Sequence, residues 1–138
     1  MGRQTVHWAK YHVPVSTFTQ AVIVPAGRDL IFVSGITARQ GASGELLRDG
    51  DIEAQSELIM ENMKAILAEA GATMDDVVKT TTFVREADQI NRYRAVRDRY
   101  FGSTPPASSI VEVSRLYDPR MVVEVEAIAA VPRKQSGG

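Results

Sequence analysis

The chain has 138 residues, of which 44% are hydrophobic and 24% are charged, and its formal net charge is −1. This length and hydrophobic content predict a single domain over residues 1–138 with a packed core. The near-neutral charge argues against nucleic acid or an anionic membrane as a partner, and the absence of cysteine excludes disulfides and thiolate chemistry.

The first half of the sequence predicts a β-hairpin, a loop and a helix. Two β-branched apolar runs, 18–24 and 30–36, flank the turn-rich residues PAGRD, which indicates a hairpin. The polar, glycine-rich segment 39–50 predicts a loop. Apolar residues then recur at helical spacing, and Asp51 and Gly71 are suited to begin and end this first helix.

The second half predicts three more strands and a second helix. Residues 77–84 form an apolar, β-branched run, and the helix that follows opens at Ala87 or Asp88 and ends at Gly102. The last two strands are predicted over 108–113 and 122–131. The order β-β-α-β-α-β-β indicates an α+β domain with two helices on one face of a mixed sheet, and we expect 133–138 to be a flexible tail.

The sheet face opposite the helices is expected to be apolar. Alternation along the strands puts Val22, Val33 and Val123 or Val125 on that face. A long exposed apolar sheet face predicts association with other copies of the chain. The chain has no apolar run of the ~20 residues that span a bilayer and no secretory signal pattern, so we expect a soluble, cytoplasmic protein.

The last strand contains two carboxylates in an otherwise apolar run. Glu124 and Glu126 are two residues apart, so they share one face of the strand. A carboxylate that lines a cleft can orient or deprotonate a water molecule. The alternative is that both point to solvent, or pair with Arg115 or Arg120 across the hairpin.

Other chemically active residues give weaker signals. His7 and His12 are five apart, so in a strand they face opposite ways and do not form a shared metal site. The sequence has no metal-binding, phosphate-binding or dinucleotide-binding motif, and we expect neither a metal nor a cofactor. The second helix carries four arginines, which form a solvated basic face or an anion site: Arg92, Arg94, Arg97 and Arg99.

Four segments resemble one known family. VSGIT (33–37), AGATMDDVVKTTTFV (70–84), PPASSIVEVSRL (105–116) and VEVEAIA (123–129) are similar in order and spacing to the RidA/YjgF/YER057c family of imine and enamine deaminases. The resemblance extends over 18–131. It implies a chorismate-mutase-like α+β fold and a homotrimer with clefts between its subunits, which agrees with the apolar sheet face expected above.

The resemblance also implies a set of site residues. Typical members hold the substrate carboxylate with the arginine of a P-A-R-S segment, and Ser108 stands at that position here. A serine cannot supply the two parallel charge-assisted hydrogen bonds of a guanidinium. Of the family's site, the backbone of Ser34 and Gly35 remains, together with Glu124, which matches the glutamate that positions the hydrolytic water.

Three further positions differ from the family pattern. Phe18 stands where a tyrosine is common, Ile110 where a cysteine is common, and Arg94 where the second helix often has an asparagine. The resemblance therefore implies a more apolar pocket, with its cationic group displaced to Arg94.

Two functions follow from these residues. The first is a hydrolase of an imine, an enamine or a related C–N compound outside the usual small 2-imino acids, with Glu124 orienting water. The second is a trimer that binds a small metabolite without turning it over. Ribonuclease activity, a name that the family also carries, is disfavoured by the charge pattern.

Overall fold

The computed structural model describes residues 3–11 and 18–134, which contain two α-helices, eight strands and two short 3₁₀ turns at Met74–Asp76 and Ala87–Gln89. The helices are α1 (Ile52–Glu69) and α2 (Ile90–Phe101). The strands are β1 (Gln4–Val6), β2 (Ala21–Ile23), β3 (Arg28–Ile36), β4 (Arg39–Gln40), β5 (Glu45–Leu46), β6 (Val77–Val84), β7 (Ala107–Glu112) and β8 (Val123–Pro132).

The central sheet has the strand order β3-β8-β6-β7. Strands β6 and β7 are parallel, whereas β8 is antiparallel to both β3 and β6. A parallel pair needs a crossover, and α2 supplies it between β6 and β7. The sheet is therefore mixed, as the element order predicts.

Both helices pack on one face of this sheet and enclose the core. Val123, Val125, Ala127 and Ala129 of β8 are buried, because alternate residues of a strand point to the same face. The predicted start of α1 is confirmed, since the Asp51 carboxylate accepts a hydrogen bond from the Ala54 backbone N–H at 3.1 Å.

The predicted ends of the helices are also confirmed. Gly71 follows α1 and Gly102 follows α2, with φ angles of 78° and 36°. These left-handed conformations suit glycine and stop each helix. Neither helix in the described ranges is long and apolar enough to cross a membrane.

The hairpin predicted from 18–24 and 30–36 is wrong. Strand β2 pairs with β1 and β3 pairs with β8, so the two apolar runs lie in different sheets. The PAGRD joint contains a turn, but that turn does not join a hairpin: β3 pairs from Arg28 to Ile36 with a strand almost a hundred residues later. The predicted loop 39–50 contains the short β4–β5 hairpin.

Three of the four valines expected on the outer face are placed wrongly, and Val22 lies in the separate β1–β2 sheet. Val33, Val123 and Val125 are buried toward the helices, whereas Val22 is half-buried in β2. The outer face instead carries Phe32, which is 72% exposed, because it alternates with the buried Val33. His12 and residues 135–138 of the predicted tail lie outside the described residues, so the expectations for them stay predictions.

We expect Ile59→Ala to lower the free energy of unfolding by about 2–5 kcal/mol, because Ile59 in α1 is fully buried and its loss leaves a cavity. Urea unfolding at a fixed protein concentration measures this change. Ile66→Ala on the same helix is the matched control. Its side chain is 47% exposed, so a cost below about 1 kcal/mol is expected, and equal costs for the two variants would contradict the packing described here.

Candidate functional site

Glu124 lies directly over Gly35 on the sheet face opposite the helices. Its neighbours Val123 and Val125 point into the core, so strand alternation turns the half-buried Glu124 to the other side. A Cβ atom on Gly35 would lie 2.2 Å from the Oε2 atom of Glu124. The Glu124 carboxylate can therefore lie against β3 only because residue 35 has no side chain.

The carboxylate of Glu124 has unused hydrogen-bonding capacity. Among the described residues no hydrogen bond or ion pair involves it, and a carboxylate can accept about four hydrogen bonds. Ser34 and Gly35 beside it line a concavity of about 660 Å³ between β3 and α1. Glu124 adjoins this edge of the sheet through its contact with Gly35.

Ser108 lies at the opposite edge of the sheet and on the opposite face. In β7 it is paired with the buried Thr80 of β6, whereas Glu124 is paired with Phe83 of the same strand. Residues 80 and 83 are separated by an odd number of positions, so their side chains point to opposite faces. Ser108 therefore points toward α2 and Glu124 away from it.

A buried arginine contacts Ser108. The Nη1 atom of Arg97 donates to the Ser108 Oγ atom at 3.4 Å, and its Nε and Nη2 atoms donate to Asp98 Oδ1 at 3.2 and 3.1 Å. The side chain of Arg97 is only 2% exposed. Its guanidinium also lies 5.8 Å from the centre of the Tyr93 ring, which faces the cation.

Hydroxyl groups complete this polar layer beneath α2. Thr80 lies 3.2 Å from Ser108, oxygen to oxygen, and the Thr82 hydroxyl donates to the Tyr93 oxygen at 2.8 Å. Burial raises the pKa of Tyr93 above its ordinary value, so its phenol stays protonated at neutral pH. The layer holds one cation and one anion, Arg97 and Asp98, and is otherwise uncharged.

A second concavity, of about 400 Å³, adjoins Ser108. Its walls include the aromatic side chains of Trp8, Tyr11 and Phe18. The adjacent Thr19 bridges to Ala107 of β7 through its backbone, and this bridge keeps Phe18 at the sheet edge. Two of the predicted site residues, Phe18 and Ser108, thus line the same hollow.

The remaining predicted residues lie elsewhere in the chain. Ile110 is paired with Thr82 on the helix side of the sheet, where it packs against the core. Arg94 donates to the Asn91 side chain at 3.2 Å. The guanidinium that contacts Ser108 belongs to Arg97 rather than to Arg94.

A signal for Arg97 was present in the sequence. Tyr93 and Phe101 are four residues before and after Arg97, so all three lie on one stripe of the helix. An arginine on such an apolar stripe is expected to be buried with partners, whereas the number of arginines on the helix does not distinguish Arg97 from the others. The outward arginines form ordinary surface ion pairs, Arg92 with Glu53 and Arg99 with Glu57, at 3.0 and 2.6 Å.

In the described parts of the chain, no group of three or more histidines and carboxylates is placed to hold a metal ion. The concavities at the β3 edge and the β7 edge are the candidate sites, because predicted site residues line them. The concavity at the β3 edge is lined by Ser34 and Gly35, with the Glu124 carboxylate beside Gly35, whereas the β7 edge offers a hydroxyl among aromatic rings. Their chemistry is complementary, because Glu124 is a proton acceptor and the hollow at the β7 edge is a binding surface.

Comparison with known proteins identifies the family. The sequence model of the family described as Endoribonuclease L-PSP matches residues 10–131. A RutC family protein of Pyrococcus abyssi is 38% identical over 130 residues, which cover 94% of this chain and 98% of that protein. The chain belongs to the RidA/YjgF family.

Solved structures of the RidA/YjgF family agree with this fold. A Rid protein of unknown function from Yersinia pestis, YyfB, has a TM-score of 0.84 and 31% identity over 95% of this chain and 100% of its own. RidA from an Antarctic Psychrobacter has a TM-score of 0.69 and 31% identity, covering 93% and 99%. The resemblance drawn from the four sequence segments, and the α+β fold that it implied, are confirmed.

We expect Gly35→Ala to cost about 1 kcal/mol of unfolding free energy, because the new methyl group forces the Glu124 side chain into another rotamer. The three nearest atoms to that methyl group all belong to Glu124. The cost should therefore vanish when the substitution is made in a Glu124→Ala background, as a double-mutant cycle measures. A Glu126→Ala background is the control, and a cost that persists equally in both backgrounds would show that Glu124 is not the obstacle.

Proposed function

We propose that this RidA/YjgF protein hydrolyses the C=N bond of an imine, or of the imine tautomer of an enamine, in a cytoplasmic homotrimer. Glu124 orients a water molecule for attack on the C=N carbon. Water adds to that carbon, the nitrogen is protonated, and collapse of the adduct releases ammonia and a carbonyl compound. The observation that carries the proposal is the Glu124 carboxylate, held over Gly35 with its hydrogen-bonding capacity unused.

The placement of Ser108 and Glu124 supports a site shared between copies of the chain. The two residues lie on opposite faces and at opposite edges of one sheet, so a single chain does not close a pocket around both. A cleft between two subunits can combine the β7 edge of one copy with the β3 edge of the next. The exposed apolar side chains Leu30 and Phe32 on β3 support such a contact.

Because residue 108 is a serine and not the arginine of typical family members, we expect the substrate to differ from the small 2-imino acids. A carboxylate in the hollow beside Ser108 would find one hydroxyl in place of a guanidinium fork. Arg97 does not substitute for the fork, because its side chain is buried and already bonded to Asp98. Weak activity on 2-imino acids is therefore part of the proposal.

A trimer that binds a metabolite without turnover is the second candidate. The hollow beside Ser108 favours it, since the lining residues that the structure describes include no carboxylate, imidazole or amine. RNA cleavage, which the family description Endoribonuclease L-PSP suggests, receives no such support. Arg92 and Arg99 on α2 are paired with glutamates of α1, so they are not arranged to hold phosphates.

We expect Glu124→Gln to slow imine hydrolysis at least about 100-fold, because an amide cannot take a proton from the attacking water. Two imines generated in situ serve as probes: the benzylamine imine from a flavin-dependent amine oxidase, and the leucine imine from an amino acid oxidase. Ammonia release above the uncatalysed rate is the measurement, and the benzylamine imine is expected to react faster.

Glu126→Gln is the matched control, because Glu126 lies on the same face two residues away and is exposed. It should retain the rate of the unmodified protein. A Glu124→Gln rate equal to that of Glu126→Gln would exclude the water-orienting role. No rate enhancement with either imine would favour the binding protein over the hydrolase.

A further inference from the structure

The hydroxyl of Ser108 is restricted to one hydrogen-bonding role. A serine oxygen can accept two hydrogen bonds and donate one. Arg97 fills one acceptor position, because a guanidinium only donates. The second contact is with Thr80, and the direction of that hydrogen bond decides what Ser108 offers to a ligand.

Burial fixes the direction of the Thr80 contact. Thr80 is fully buried, and Ser108 is the hydrogen-bond partner of its hydroxyl among the described residues. If Ser108 donated to Thr80, the Thr80 O–H would be left buried without an acceptor, which costs about 1–3 kcal/mol. Thr80 therefore donates, both acceptor positions of Ser108 are occupied, and the Ser108 O–H is left to point into the hollow.

The charge around this hydroxyl is balanced. The Arg97 cation is paired with the Asp98 carboxylate at 3.1 Å, and none of the described residues that line the hollow carries a formal charge at neutral pH. Only the Nη1 edge of the guanidinium faces Ser108, and it polarises the hydroxyl into a stronger donor. A ligand carboxylate would lose its hydration here and gain a single hydrogen bond, whereas an uncharged acceptor gains the same bond at far smaller desolvation cost.

The aromatic side chains that line the hollow favour the binding of an aromatic ring. Trp8 and Tyr11 are 64% and 71% exposed, and with Phe18 they surround the approach to Ser108. The Trp8 backbone N–H donates to Gln20 Oε1 at 2.7 Å, which fixes Trp8 beside the strand edge. Three rings around one polar donor form a surface on which a flat ring can stack with its acceptor atom toward Ser108.

We propose that the hollow beside Ser108 binds an uncharged aromatic molecule that presents a carbonyl oxygen or an imine nitrogen to the Ser108 hydroxyl. Arg97 acts as a positioning residue, because it occupies the serine oxygen and so leaves only the donor role. The inference deepens the proposed function, since it names the substrate class of the same site. It concerns binding alone, so it can be tested without any turnover.

Phenylacetamide and phenylacetate form the test pair, because they share a ring and differ in charge at the acceptor group. Trp8 is the single tryptophan of the chain, so its fluorescence reports ligand in this hollow. For the intact protein at pH 7 we expect the amide to bind at least about tenfold more tightly than the carboxylate. Tighter binding of phenylacetate, or no response to either compound, would overturn the proposal.

Ser108→Ala should weaken binding of phenylacetamide about fivefold to tenfold, as the loss of one neutral hydrogen bond predicts, and leave phenylacetate nearly unchanged. Ser108→Thr keeps the hydroxyl and should restore the preference, which separates loss of the donor from a general disturbance of β7. Ser109→Ala is the control, because Ser109 points to the other face and contacts Lys79. An amide affinity that does not respond to Ser108→Ala would contradict the donor role.

The binding experiment and the hydrolysis experiment fail in different ways. If the protein prefers the amide but releases no ammonia from either imine, the binding inference stands and the proposed hydrolase activity is contradicted. If the protein hydrolyses imines through Glu124 but binds phenylacetate more tightly, the hydrolase activity stands and the binding inference is contradicted.

Discussion

Successive side chains of a β-strand point to opposite faces of the sheet, and this constraint decides how the site of this protein is built. In the register of the central sheet, Ser108 is beside Thr80 and Glu124 is beside Phe83, so the two residues face apart. No side-chain rotation brings them together within one chain. The proposed hydrolysis, if it uses both residues, therefore requires a second copy of the protein.

The buried guanidinium of Arg97 is the second determinant. Burying a charge is costly unless it is paired and hydrogen-bonded, and Arg97 meets this requirement with Asp98, Ser108 and the ring of Tyr93. These contacts stabilise the packing of α2 on the sheet. The contact with Arg97 also occupies an acceptor position of Ser108, the serine that stands at the position of the family's arginine. The residues that pair the buried charge therefore also determine which ligand atoms the hollow can bind.

The sequence predicted the parts of the fold that depend on local chemistry. Residues 77–84 form a strand with the predicted bounds, and Asp51 and Gly102 act at the helix ends as expected, because caps and alternation are decided by near neighbours. The hairpin prediction is wrong because the pairing of β3 is long-range: its partner is β8. Local turn residues carry no information about a partner that distant in the chain.

The sequence predicts which residues belong to the candidate site better than it predicts how those residues are arranged. Glu124, Gly35 and Ser108 were found through the resemblance, and the contact between Glu124 and Gly35 gives a physical reason for the glycine. The role of Arg97 follows from the packing of α2, because the helix has four arginines and the packing decides which one is buried. The opposite orientation of Ser108 and Glu124 likewise follows from the strand register rather than from spacing along the chain.

The most direct test is a crystal structure of the assembled protein, in which the position of Glu124 relative to Ser108 is measured across every contact between copies. The account predicts a trimer in which the Glu124 carboxylate of one copy and the Ser108 hydroxyl of the next face each other across a cleft that one small molecule can span. An assembly in which Glu124 and Ser108 of neighbouring copies open onto separate surfaces would contradict it, as would a protein that stays monomeric.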